Sequence, residues 1–284
     1  LSKAINLTKT ENAYRFAFDG ASVSDGVKTP THSSYPENIQ ITLTGSAGDL
    51  SLIGNPMMCH LDLGTFLSSN SSVIEGQVTF WNGGANTNTN VIINDGEVSV
   101  ANPSSGIKLP PMQGFFVKNK GNGGTLNFNV ASHFVVDNGT NNLRSADASS
   151  DGTLYVTGND GKTTSYLSVR KMEGASNGFV EGEDAEKIFN AYAVSEISTL
   201  AGGVATDINH FSALPYETPL AVNTTADKDT VDLTFKGAES FENVNVTLVN
   251  KKTGEEINLK DENKYKFIFT KDEAETTLVL RFAS

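Results

Sequence analysis

The chain of 284 residues contains one cysteine, Cys59, so no intrachain disulfide can form and the stapled scaffolds of small secreted domains are excluded. Basic residues are few: 21 Lys and Arg stand against 33 Asp and Glu, a net charge of −12 with a pI near 4.8. A field of that sign repels phosphate backbones and anionic lipid, so no nucleic acid is expected as a partner. No apolar run approaches the roughly 20 residues of a membrane-spanning helix, and none resembles a signal-peptide core. The expectation is a soluble chain with no direct membrane insertion. It opens on Leu1 rather than Met, as a processed or a trimmed product would, and the expectation is a chain exported by a signal since removed.

Amphipathic helical stretches are scarce too. Leu63–Ser69, following Asp62, has room for two turns, and 183–192, with carboxylates in its first turn, for three. Strand-like segments recur instead, at 14–18, 39–43, 77–81, 91–93, 114–118 and 125–130, then at 153–157, 166–170, 231–235, 244–249, 265–269 and 277–282. Val231, Leu233 and Phe235 alternate with Asp232, Thr234 and Lys236, the period of two that an antiparallel sandwich strand requires. The 24 aromatics (16 Phe, 7 Tyr, 1 Trp) are enough for large cores.

The expected fold is therefore all-β: two tandem β-sandwich domains, jelly-roll or immunoglobulin-like, with a few short helical turns. The polar stretch 138–152, NGTNNLRSADASSDG, marks the boundary between a domain over 1–145 and an acidic one over 146–284. The charge changes there as well, from −2 in the first part to −10 in the second.

No nucleophile elbow, P-loop or dinucleotide fingerprint appears, and the expectation is a chain that is not an enzyme. His32, His60, His133 and His210 lack metal-ligand spacing, and Cys59 beside His60 on a strand would face the opposite way, as a small buried thiol. No cofactor is expected. The one weak cation candidate is calcium at Glu181, Glu183 and Asp184, where hard oxygen donors crowd without EF-hand spacing. Gly158-Asn159-Asp160-Gly161 reads as a hairpin turn with Asn and Gly at positive φ. The run 80–90, FWNGGANTNTN, joins the one tryptophan to many amides, the tools that hold sugar rings. Trp81, Asn82, Asn86, Asn88 and Asn90 are the candidate glycan- or partner-binding set. The competing reading has Trp81 closing a core strand and the amide run forming a flexible loop.

Two stretches carry a resemblance. The first has Gly54-Asn55-Pro56, Leu61-Asp62-Leu63, Phe80-Trp81 and then Pro111, Gln113, Gly114, Phe115, Phe116 and Val117. The second has Asp184, Ala185 and Lys187 in an Asp-Ala-x-Lys element, followed by the segment from Pro219 onward. Together they resemble the β-sandwich modules of large Bacteroidetes surface and secreted proteins, of the adhesin-like kind that precedes a C-terminal sorting domain. The resemblance implies an extracellular or outer-membrane-surface location and a structural or adhesive role toward an extracellular protein or glycan. Residues 229–231, Asp-Thr-Val, resemble the O-glycosylation acceptor of such exported proteins. On physical grounds the motifs look structural: a turn at 54–56, core phenylalanines at 115 and 116, an aromatic row at Tyr265, Phe267 and Phe269, and an Asp184–Lys187 pair on one helix face.

Overall fold

The computed structural model describes residues 6–10, 13–17, 37–82, 87–94, 97–102, 108–135, 152–190, 195–270 and 272–284, so 83–86 and most of the expected boundary segment lie outside the described residues. The fold is all-β. In the first part the strands are β1 (Asn6–Thr10), β2 (Ala13–Ala17), β3 (Asn38–Leu43), β4 (Leu50–Gly54), β5 (His60–Asp62), β6 (Ile74–Asn82), β7 (Thr87–Asn94), β8 (Glu97–Val100), β9 (Lys108–Leu109), β10 (Gly114–Asn119), β11 (Gly124–Asn129) and β12 (Phe134–Val135). The second part has β13 (Thr153–Asn159), β14 (Thr164–Lys171), β15 (Ala185–Glu186), β16 (Ser195–Ala201), β17 (Val204–Phe211), β18 (Tyr216–Thr224), β19 (Lys228–Lys236), β20 (Asn245–Asn250), β21 (Glu255–Asn258), β22 (Lys264–Thr270) and β23 (Leu278–Ala283).

The main sheet of the first part runs β4-β10-β6-β7-β8, with β11-β3 and β12-β5-β9 as smaller sheets. Its core holds Leu61, Leu63, Phe66, Val78, Phe115, Val117, Leu126 and Phe128, all buried. The α-helix α1 (Leu63–Ser69) starts where Asp62 accepts a hydrogen bond from the Thr65 amide, and turns Leu63, Phe66 and Leu67 inward. It ends on buried Asn70, whose Nδ2 donates to the carbonyls of Phe66 and Asn127, tying the helix to β11. Asn55 acts in the same way: its Nδ2 donates to the carbonyls of Cys59 and Pro110, so the Gly-Asn-Pro turn is held by one buried amide. Phe115 is buried in the core, whereas Phe116 faces the other side of β10 and is half-buried, because neighbours on a strand point to opposite faces. Cys59 is half-buried rather than buried, and its partial burial pushes the thiol pKa up.

The second part is one eleven-stranded sheet, ordered β21-β20-β23-β18-β16-β17-β14-β13-β19-β22 with β15 set against β17. It curls over itself at β18, which pairs β23 through Tyr216–Pro219 and β16 through Leu220–Thr224. The interior is a separate core that includes Leu167, Ile197, Phe211, Val231, Leu233, Phe235, Phe269, Leu280 and Phe282. The alternation read at 231–235 appears as expected, and Phe267 and Phe269 are buried with Tyr265 packed against the same core. In the 158–161 turn, Gly161 takes φ of 85° while Asn159 instead ends β13 and accepts the Gly161 amide through its side chain.

The three-turn helix expected over 183–192 is absent from its described residues; the chain there forms the two-residue strand β15 against β17. The carboxylates that read as a helix start serve other ends. Asp184 Oδ1 accepts the His210 amide at 2.7 Å and its Oδ2 the Val180 amide at 2.8 Å, which pins a turn to β17.

Candidate functional site

Both cores are closed and apolar, but where the two parts meet the structure is polar and buried. Strands β7 and β8 lie over β14, β15 and β17 with a small apolar patch of Ile92, Ala101, Ala185 and Ile208 among them. Around that patch Gln77, Thr79, Asn90, Ser99, Arg170, Asp184, Lys187, Glu196, Asp207 and His210 are all excluded from solvent. Groups of this kind stay in a folded interior when each finds a partner.

Asn90 is the hub. It is fully buried, its Nδ2 donates to Asp207 Oδ1 at 2.7 Å and to the Glu186 carbonyl at 3.1 Å, and its Oδ1 accepts from Gln77 at 3.2 Å and from the Thr79 hydroxyl. Behind Asp207 lies Lys187, its side chain 0% exposed, with Nζ 3.8 Å from Glu196 Oε1, 3.9 Å from Asp207 Oδ2 and 3.3 Å from the Ser165 hydroxyl. Glu196 Oε2 in turn accepts the Asn190 amide at 2.7 Å. Burial pushes Asp207 up to about 6, despite the opposing pull of Lys187 and the Asn90 hydrogen bond. Asp184 also rises to about 6 through burial, against the two amide hydrogen bonds that favour its charged form.

A second chain of hydrogen bonds crosses the same seam. Arg170 donates to Ser99 Oγ at 3.3 Å, and Ser99 meets His210 Nε2 at 2.8 Å. His210 Nδ1 faces the Glu183 carbonyl, which sets the tautomer: Nδ1 carries the proton and Nε2 accepts from the serine. Ser99, His210 and Asp184 are the residue types of a hydrolase triad, but their geometry differs from one. Asp184 stands 4.0 Å from Nδ1 and directs that oxygen to the His210 backbone amide instead. The crevice over Ser99, lined by Val98, Val100, Thr153, Tyr155, Ser168 and Arg170, has no room for a water molecule. The arrangement is a sealed relay of hydrogen bonds, built to hold two surfaces together.

His210 gives the seam a pH signature. Burial pushes its pKa down to about 4 from the ordinary 6.5, with smaller contributions from neighbouring groups, so the imidazole is neutral when folded. The unfolded chain then binds the proton more readily between these values, and the stability that neutral His210 contributes above pH 6.5 is lost as pH falls toward 4. Asp184 works in the opposite sense: its raised pKa adds stability below its unfolded value, lost as pH rises through about 6. Comparison with His210→Gln isolates the histidine. Urea titrations from pH 7 to pH 4 are expected to show the wild type losing about 3 kcal/mol relative to the variant. A difference that does not change with pH would mean that His210 titrates alike in the folded and unfolded chain and that the seam does not hold it neutral.

Of the residues read from the sequence as a binding set, Trp81 is the penultimate residue of β6 and is 42% exposed, while Asn90, nine positions on, is fully buried in the seam. Asn88 sits opposite Trp81 in the β6–β7 register, Asn82 closes β6, and Asn86 lies outside the described residues. The amide run is therefore a strand from Thr87 onward, with one of its amides joining the two parts of the molecule. The calcium candidates are likewise turned to other partners. Glu181 meets Lys118 Nζ at 2.8 Å, Glu183 accepts the Ser176 amide at 3.0 Å, and Asp184 holds two amides. Among the described residues no group of three such side chains is placed to hold a metal ion. Asp184 and Lys187 do not face each other on a helix; Lys187 turns to Glu196 and Asp207. Thr230 is half-buried in β19, opposite Ile268. Reading the sequence missed the seam because its residues are spread over β6, β7, β8, β14, β16 and β17, and no local spacing announces them.

Among described elements β4 pairs β10 alone, and on this edge Leu50 and Leu52 are 45% and 66% exposed. Beside it an open groove of about 690 Å³ runs between β4 and β3, floored by Leu43 and Ile53. No protein-family model matches this chain, and neither a curated protein nor a solved structure shows significant similarity to it.

Proposed function

We propose that the chain is a non-catalytic structural or adhesive module of a bacterial surface protein, in which two sandwiches act as one stiff spacer and presentation unit outside the cell. The observation that carries this reading is the seam. Its Asn90, Ser99 and Arg170 side chains join the parts, with Asn90 of β7 hydrogen-bonded directly to Asp207 of β17, and a joint of that kind resists bending where an exposed linker does not. The β4 edge, unpaired on one side among the described residues, and its leucines supply a surface at which a partner strand's hydrogen bonds and side chains would be met.

A second reading, a carbohydrate-binding module of a glycan-handling surface protein, is favoured by the half-exposed ring of Trp81. Beads coated with the chain and with Trp81→Ala separate the two. The adhesive reading expects both to be retained by cells of the producing species above albumin-coated beads, and a glycan array to be silent. Array signals abolished by Trp81→Ala would replace it with the carbohydrate reading. Equal retention of coated and albumin beads would remove the adhesive role. External protease that spares the protein on intact cells would remove the surface address.

A further inference from the structure

We propose that Lys187 and Asp207 join through an isopeptide bond between their side chains, formed inside the fold with Glu196 as proton relay and Asn90 as the group that polarises the carboxyl.

The geometry sets the roles. Asp207 is fully buried, and among the described residues its Oδ2 has no hydrogen-bond partner. This oxygen faces the Lys187 ammonium nitrogen at 3.9 Å, a nitrogen itself excluded from solvent and steadied by Ser165. A buried carboxylate oxygen left without a hydrogen bond is costly, and a charged lysine beside two buried carboxylates costs more. A neutral amide removes both charges from the interior. The other Asp207 oxygen, Oδ1, accepts from Asn90 Nδ2 at 2.7 Å, which draws electron density from the carbonyl and would steady the negative charge that develops on it during attack. Glu196 Oε1 stands 3.8 Å from Nζ, within reach of its protons after a small side-chain movement. Burial holds Asp207 in its protonated form to a higher pH than an ordinary carboxyl, which is the form that can lose hydroxide as water.

The step balances without a co-reactant. The Lys187 ammonium gives one proton to the Glu196 carboxylate and becomes an amine. Its nitrogen lone pair attacks Cγ of the protonated Asp207, making the C–N bond and placing charge on Oδ1. Glu196 then delivers its proton to the Oδ2 hydroxyl and takes one from the nitrogen. The C–Oδ2 bond breaks, water leaves, and the product is an amide with Glu196 neutral. Holding amine and carboxyl in one dry site replaces the collision that makes this condensation unfavourable in water. Because Asn90 belongs to β7 and Asp207 to β17, the reactive arrangement is complete once the two parts of the molecule have docked.

The test uses the full recombinant chain, held folded at neutral pH and then denatured for intact-mass measurement. The expected mass is lower than that of the sequence by one water, about 18 Da, with a branched tryptic peptide that links the Lys187 and Asp207 segments. Lys187→Arg and Glu196→Gln should each restore the full sequence mass while circular dichroism still shows a folded β protein. Asn90→Ala should slow the appearance of the light species at least tenfold. A wild type that keeps its full mass after prolonged incubation overturns the proposal. So does the same loss of water with every tryptic peptide linear, which is the result of a succinimide at an Asp-Gly step, or a loss that persists in Lys187→Arg.

Discussion

Measured against wild type whose intact mass shows Lys187 and Asp207 still unjoined, replacing Lys187 by Met is expected to destabilise the protein by about 3–5 kcal/mol, read as a fall in the urea midpoint at pH 7 with an unchanged slope. The reason is in the asymmetry of buried charge. Lys187 is the cation beside both Glu196 and Asp207, whose side chains are 3% and 1% exposed. Taking it away leaves two carboxylates in the interior, each forced to protonate or to carry an uncompensated charge. Methionine fills nearly the same volume, so loss of packing contributes little. The combined variant Lys187→Met, Glu196→Gln, Asp207→Asn keeps an acceptor for the Asn190 amide and one for Asn90, and should regain most of the lost stability. This pattern, one large loss followed by recovery on neutralising the partners, distinguishes a desolvated charge cluster from a general dislike of substitution at 187. If the single variant costs under about 1 kcal/mol, water reaches the cluster and the seam is not sealed.

The reason this cluster could not be read beforehand lies in how it is built. Where one sheet face is dry and the other wet, residues advertise their strand: 231–235 and α1 after Asp62 both appear in the structure as their patterns indicated. Strand β17 has no wet face. Thr206, Asp207, Ile208, Asn209, His210 and Phe211 are buried in succession, and β14, β15 and β16 all pair with it. A strand covered on every side shows no period of two, and with polar side chains at its centre it does not look like a buried apolar run either. The strands expected from the sequence include neither it nor β16 and β18. The acidic start of 183–192 misled for a related reason. A carboxylate near free amides marks a helix N-terminus in isolation, yet Asp184 caps the amides of Val180 and His210, the second of them 26 residues away. Of the amides in 82–90, the structure turns Asn90 into the seam. Asn90 was legible as a hydrogen-bonding residue, but its partner Asp207 lies 117 residues further on, a separation that no motif spans.

How far the two parts behave as separate bodies follows from where their cores end. Phe66 stacks on Phe128 at 4.7 Å between ring centroids and meets Phe115 edge-on at 5.8 Å, all within the first part. Phe282 packs on Phe211 and Phe241 at 4.8 and 5.2 Å, all within the second. Each ring is fully buried, so Phe66→Ala and Phe282→Ala are each expected to cost about 3–5 kcal/mol through lost transfer energy and the cavity left behind. The cost should fall on different halves, because neither core cluster contains a residue of the other. Hydrogen exchange read by mass spectrometry resolves this. In Phe66→Ala the strands from β3 to β12 should exchange faster while β13 to β23, apart from β15 and β17 at the seam, stay protected, and Phe282→Ala should reverse the pattern. The seam sets the limit on that independence. Lys187, Glu196, Asp207 and His210 all belong to the second part, so opening of the first removes one amide, Asn90, and one hydroxyl, Ser99, from their partners and lets water in. The second part therefore keeps its own core but should show faster exchange along β15 and β17, where those partners were lost. Exchange that rises evenly across both parts in either variant would instead mean one cooperative unit, in which the two core clusters do not open separately.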